Sequence, residues 1–264
     1  MSTLQAGASS AYMTTRAGGH AASLLRAAAT NSDRRANSVY HMKITKTLLL
    51  DTLTVVAAVA AVLVVGLRIG QYVLARHNDP TRPRRITQWR QYATTGHREG
   101  SGDAKVTIVE YADFLCPYCL RADTVLRMIR REHPADIAVV YRHFPIHKRA
   151  FEAAEASECA ARAGEFQPMH DRLFDEQDSI GVKPWARFAI ESGVRDTATF
   201  SRCLNDPSVK RAVETDSSSG QRLGVVATPT FLINDLRIVG FSGPTELADA
   251  VAQAWSEAEL RQRH

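Results

Sequence analysis

Two cysteines separated by two residues, Cys116-Pro117-Tyr118-Cys119, carry the clearest capacity for chemistry in this 264-residue chain. A thiol pair at that spacing can close into a small disulfide ring and reopen, moving two electrons with no cofactor. The pair follows a β-branched run and opens a helical pattern, which places Cys116 at a helix N-terminus. Unpaired backbone N–H groups and the helix dipole favour an anion there, and the thiolate is the reactive form of cysteine. Pro117 is tolerated because a first-turn residue has no helical N–H bond to lose. The competing chemistry is a metal centre. Zinc takes about four ligands; no second Cys-x-x-Cys exists, and His143 and His147 stand alone, so no metal is expected.

Regular elements must hold this pair in place. Val106–Ala112 reads as a buried strand, and the helix after Cys116 shows one apolar face through Leu120, Val125, Leu126 and Ile129. Ile137–Tyr141 is a second strand, ending near Pro145. From about 148 to 224 the periodicity is helical, with Ala153, Ala156, Cys159, Ala160 and Ala163 at three- and four-residue steps. The chain then returns to strand at 230–233, turns at Asn234-Asp235, continues as strand over 236–240, and enters a last helix after Gly243-Pro244, where Pro suits the first turn. The pattern predicts an α/β fold with an inserted helical subdomain over residues 101–264.

Upstream lies a different kind of segment. Leu48–Leu67 contains one charge, Asp51, in 20 residues, and 20 helical residues span roughly 30 Å, the thickness of a bilayer's hydrocarbon core. Residues 47–75 are therefore expected to form a single transmembrane signal-anchor. A cleaved signal peptide competes with this reading, since Met42-Lys43-Ile44-Thr45-Lys46 resembles a short basic leader, but the apolar run is long and no convincing small-x-small site follows it. Residues 1–46, rich in Ala, Ser, Thr and Gly, are expected to be a disordered tail, or to lie before the true start at Met42. Residues 76–100, with six arginines from Arg76 to Arg98 and two prolines, are expected to form a basic, solvated linker.

Composition supports an ordinary globular domain, at 45% hydrophobic and 23% charged residues. The formal charge of +5 is unevenly placed: residues 1–99 hold 13 Lys/Arg against 4 Asp/Glu, and residues 100–264 hold 20 against 24. A nucleic-acid binder carries its positive charge on the folded domain, so no nucleic-acid partner is expected. Positive charge does not orient the span, with four Lys/Arg within about 20 residues on one side and five on the other.

Taken together, Val106–Cys119 (VTIVEYADFLCPYC), the Cys159-containing helical stretch and Ala227-Thr228-Pro229-Thr230-Phe231 resemble the DsbA-like branch of the thioredoxin superfamily. The resemblance covers about residues 100–258. It implies a thioredoxin fold with an inserted helical domain and thiol–disulfide exchange on unfolded or cysteine-containing proteins. It makes Cys116 the attacking, partly exposed cysteine and Cys119 the resolving one, with Pro117 and Tyr118 beside the substrate. Pro229 matches the family's cis-proline, and Thr228 before it would offer backbone polar groups to a substrate strand. Glu110, six residues before Cys116, matches a buried acid that passes protons to and from Cys119; its alternative is an ordinary surface carboxylate. The chemistry belongs to an oxidising compartment, which places the domain on the periplasmic or outer face of the cell membrane, recycled by a membrane redox partner. In such a compartment Cys159 and Cys203 are expected to pair, although either could be a small buried hydrophobe. His143, His147 and His170 are expected to be solvated or packing residues.

Direction of electron flow stays open. Tyr118 and Thr228 stand where strong oxidases of the family carry other residues, which leans toward a milder reductase or isomerase. Residues 76–100 are too short for the dimerisation domain an isomerase carries. An oxidase-type disulfide donor is slightly favoured, with the reductase or isomerase type as alternative. A non-enzymatic peptide- or metal-binding module is the reading from another class, and it should survive Cys116→Ser and Cys119→Ser.

Overall fold

The computed structural model describes residues 18–77 and 79–263. It divides into two units, one ending at Asn78 and the other running from Asp79 to His264. Among the described residues the first contains a single helix, α1 (Gly18–His77). Its stretch Asn37–Arg76 is long and apolar enough to cross a membrane, with a mean hydropathy of 2.6 over its most apolar window and none of that window buried against protein. The start of α1 corrects the expected tail: residues 18–46 are helical, and residues 1–17 lie outside the described residues. The Ala-, Leu- and Arg-rich composition there favours helix, and extending an existing helix avoids the cost of nucleation.

The second unit is built on a six-stranded sheet in the order β1-β6-β5-β3-β4-β2. The strands are β1 (Arg84–Arg85), β2 (His97–Glu99), β3 (Val106–Ala112), β4 (Ile137–His143), β5 (Thr230–Ile233) and β6 (Leu236–Val239). β3 and β4 are parallel and joined by α2 (Pro117–Glu132), whereas every other pairing is antiparallel. All seven residues of both β3 and β4 are buried, as expected for strands covered on two faces. α2 and α8 (Pro244–Gln262) cover one face through Val125, Leu126, Ile129, Leu247 and Val251. Between β4 and β5, five helices form the insertion: α3 (Ala150–Arg162), α4 (Phe166–Asp175), α5 (Trp185–Glu191), α6 (Thr197–Cys203) and α7 (Pro207–Leu223). The thioredoxin-type sheet with a helical insertion matches the expected fold class.

The expected linker is the main correction. Residues 79–100 belong to the folded unit and supply both edge strands. Ile86, Trp89, Tyr92 and Ala93 pack against the sheet's second face, beside Val109, Tyr111, Val140 and Leu232. The Arg85 guanidinium reaches Asp235 and Glu257, each at 2.6 Å. Arg237 is buried and donates to the carbonyls of Leu223, Gly224, Pro80 and Arg82, tying the segment to the domain. Arg85, which looks like part of a solvated stalk in the sequence, is here paired with carboxylates 150 and 172 residues away.

Candidate active site

The dithiol sits at the junction of β3 and α2. Cys116 is the N-cap of α2, Pro117 occupies the first turn, and the Cys119 and Leu120 amides donate to the Cys116 carbonyl at 3.1 and 3.2 Å. Both cysteines are free thiols. The Cys116 sulfur lies 3.4 Å from the Thr228 carbonyl oxygen. The Thr228–Pro229 bond is cis, and the loop around it is held by Gly240 N–H donating to the Pro229 carbonyl at 2.8 Å and by the Thr230 hydroxyl donating to Ala227. Thus β3–α2 and the β5 approach, 112 residues apart, meet at one sulfur. Cys116 is only 3% exposed, which corrects the expected partial exposure; Phe114, Tyr141 and the first helices of the insertion share its core cluster.

The two thiols are electrostatically unequal. A hydrogen bond from the Cys119 thiol, aided by the Cys119 and Tyr118 backbone amides, outweighs burial and lowers the Cys116 pKa from an ordinary 9.0 to about 5. Burial, followed by that same hydrogen bond, pushes the Cys119 thiol well above its ordinary value. Glu110 lies on β3 with its side chain on the α2 face, 1% exposed, and is not the surface carboxylate of the alternative reading. Burial first, then the charges of Asp123 and Cys116, raise its pKa. Glu110 Oε1 and the Tyr141 hydroxyl have no hydrogen-bond partner among the described residues, and both residues line a narrow void of about 20 Å³ with Asp123, Gln167 and His170.

Tyr118 projects outward, half exposed, with the Arg121 guanidinium 4.5 Å from its ring centroid. With Ile146 and Val226, also about half exposed, it gives an apolar component to the surface of this domain. Cys159 and Cys203 are joined in a disulfide, Cα to Cα 5.7 Å, linking α3 to α6.

Two features escape sequence reasoning. Asp113 accepts from the Leu115 amide at 2.7 Å through one oxygen, and from the Ile146 and His147 amides at 2.6 and 2.8 Å through the other, fastening the β3–α2 loop to the β4–α3 loop. An Asp two residues before the turn residue it caps is a recognisable Asx turn, but its second set of partners is not local. Gln177 donates to the Phe114 and Cys116 carbonyls at 2.7 and 3.2 Å, bracing the same loop from the insertion. The histidines are also better partnered than expected: His147 meets Asp113 at 2.9 Å, His170 meets Asp171 at 3.0 Å, and His143 meets Glu158 at 2.9 Å. Asp113 and Glu158 are brought to their histidines by folding, from 34 and 15 residues away, whereas Asp171 is the residue after His170 on α4.

Comparison with known proteins agrees with this geometry. A family model described as Thioredoxin matches residues 93–253. Among curated proteins, the chain is 36% identical over 160 residues to the Na(+)/H(+) antiporter NhaA 1 of Mycolicibacterium vanbaalenii, covering 59% of this chain and 25% of that protein. It is 38% identical over 144 residues to the Na(+)/H(+) antiporter NhaA of Herminiimonas arsenicoxydans, covering 54% and 23%. The chain therefore spans about a quarter of the length of these curated relatives, and most of what carries the antiporter name lies outside the match. Among solved structures, it is similar to a thioredoxin-like oxidoreductase from Silicibacter pomeroyi (28% identity, TM-score 0.55, 64% of this chain and 98% of that one). BdbD from Bacillus subtilis, in its oxidised form, is similar at 25% identity and a TM-score of 0.55, covering 60% and 92%.

Proposed function

The chain belongs to the thioredoxin family, and on that premise we propose that it is a thiol:disulfide oxidoreductase acting on cysteine-containing proteins through Cys116 and Cys119. The observation that carries this reading is the Cys116 sulfur, placed at the α2 N-terminus and against the carbonyl that precedes a cis-proline.

In the oxidised protein, a substrate thiolate attacks the Cys116 sulfur. The Cys116–Cys119 bond breaks, its electron pair passes to Cys119, and a substrate–Cys116 mixed disulfide forms. Cys119, buried and a poor anion, takes a proton as it leaves, and Glu110 is the nearby buried acid suited to supply it. A second substrate thiolate then attacks the substrate sulfur of the mixed disulfide. Cys116 departs as a thiolate, which its low pKa makes a good leaving group. Two electrons have moved from substrate to dithiol. Pro117 and Tyr118 border the sulfur, and the Thr228–Pro229 backbone receives the substrate strand beside it. Stabilising the Cys116 thiolate favours the reduced dithiol, and so favours disulfide donation. The reductase or isomerase reading rests on Tyr118 and Thr228. Equilibration of the purified protein in glutathione buffers separates the two: a potential near about −120 mV makes it a donor, and one near about −200 mV or lower makes it a protein kept reduced. Absence of any reversible couple would overturn the redox reading itself.

The apolar part of α1 is read as a single-pass anchor in the cell membrane, with the domain on the periplasmic or outer side and a membrane redox partner recycling the dithiol. The length and hydropathy of Asn37–Arg76 support the anchor, and a disulfide between Cys159 and Cys203 suits an oxidising compartment. Carbonate extraction of membranes and protease accessibility of the domain in intact cells test both statements.

A further inference from the structure

Three side chains from three separate elements converge beside β4. His97 on β2 and His143 at the end of β4 point their Nε2 atoms at one oxygen, Oε1 of Glu158 on α3, at 2.7 and 2.9 Å. All three potential donor atoms lie within 4.8 Å of one another. The rings are held from their other sides: His97 stacks on Phe166 with centroids 3.5 Å apart, and His143 sits edge-on to Tyr141 at 5.3 Å. His143 is 1% exposed, whereas His97 and Glu158 line a cleft of about 340 Å³ that also reaches Ser208, Arg211 and Thr215.

We propose that His97, His143 and Glu158 form a zinc site, with the cleft supplying the fourth, exchangeable position. Two imidazoles and one carboxylate are a zinc donor set, and three protein ligands with an open side match zinc centres that keep a water or substrate ligand. Zinc bonds of about 2.0–2.1 Å at tetrahedral angles need donor atoms roughly 3.3 Å apart. The two contacts thus open by only about half an ångström to admit the ion, a shift a glutamate side chain supplies by rotation. The site does not include the dithiol, and it stands or falls independently of the redox function. Sequence reading assigns no metal because the donors are 61 and 15 residues apart from Glu158 and follow no zinc spacing.

The test uses full-length protein in detergent carrying Cys116→Ser and Cys119→Ser, so that the dithiol cannot take the metal. After EDTA treatment, zinc chloride is added and bound zinc is counted by mass spectrometry following gel filtration, with affinity from competition against a chromogenic chelator. One zinc per chain is expected. His97→Gln and Glu158→Gln should each weaken binding by at least roughly 10–100-fold, the loss that changes even to outer-shell partners of a metal produce. His97 is partly exposed on a short edge strand, so its variant reports even if His143→Gln does not fold; melting in EDTA verifies that it does. Failure of the Ser/Ser protein to retain zinc would overturn the site. Equal retention by the His97→Gln and Glu158→Gln proteins would do the same. Either result leaves the three residues as a hydrogen-bonded strut between α3 and the sheet.

Discussion

The Cys116 sulfur and the Thr228 carbonyl oxygen lie 3.4 Å apart although 112 residues separate them. The contact brings the sulfur to the backbone of the cis-proline loop, where the proposed function places the substrate strand. Thr228 itself is buried, and its carbonyl, not its side chain, makes the contact. The reactivity of the site follows from this placement together with the α2 N-terminus.

Removing the two sulfurs should have different consequences. Cys116→Ser should lower disulfide exchange with a thiol peptide to the uncatalysed rate. Cys119→Ser should accumulate mixed disulfides with disulfide-bonded substrates on non-reducing gels, because Cys116 still attacks them and the Cys119 sulfur that would displace the substrate from Cys116 is gone. Retained exchange in the Cys116→Ser protein would refute its role as the attacking residue.

Alkylation by iodoacetamide should report the Cys116 thiolate. Its rate should rise with pH through an inflection near 5 and not near 9. Because the folded pKa is depressed, the associated stability is fully present above the unfolded thiol value of about 8.5 and is lost as pH falls toward 5. Reduced protein should therefore gain stability relative to oxidised protein across that interval, measured by paired urea titrations at each pH.

Glu110→Gln should slow the Cys119-dependent step by roughly tenfold or more, the lower range of general acid–base effects. Stopped-flow formation of the mixed disulfide from oxidised protein, the step in which Cys119 leaves, measures it. The folded pKa of this carboxyl is raised, so its ionisation destabilises the fold above the unfolded value of about 4.3. The variant should be no more stable than the parent near pH 4 and increasingly more stable as pH rises. A variant with unchanged rate and unchanged pH profile would assign Glu110 no part in proton transfer.

Cys159 and Cys203 close a loop with a sequence separation of 44. Replacing both by Ala should cost about 2–4 kcal/mol of unfolding free energy, chiefly by releasing the unfolded chain. Catalytic exchange should persist, since neither belongs to the dithiol. Urea denaturation of the two proteins with the dithiol reduced provides the comparison.

Gly220 on α7 faces the sheet so closely that a Cβ would lie 2.6 Å from Phe144 and 2.9 Å from Tyr111 ring atoms. Gly220→Ala should therefore lose roughly 1–3 kcal/mol through overpacking, despite the better helix propensity of Ala. A thermal melt that matches or exceeds the parent would show that the two rings yield freely.

What the sequence determined by itself was whatever depends on near neighbours. The spacing of Cys116 and Cys119, the β-branched run before them, the helical period from 148 to 224 and the apolar length of 48–67 are local signals, and the elements they predict are present. Tertiary structure decided what depends on distant partners. The arginine-rich stretch after the apolar helix became two edge strands because Ile86, Trp89 and Tyr92 found the sheet and Arg85 found Asp235 and Glu257. Glu110 became a buried acid because β3 is covered by α2, and Asp113 became a clasp because β4 ends beside β3. His97, His143 and Glu158 meet only because β2 pairs with β4 and α3 packs alongside. Periodicity states which face of an element is apolar, but it carries no information about which polar groups the folded chain brings opposite one another.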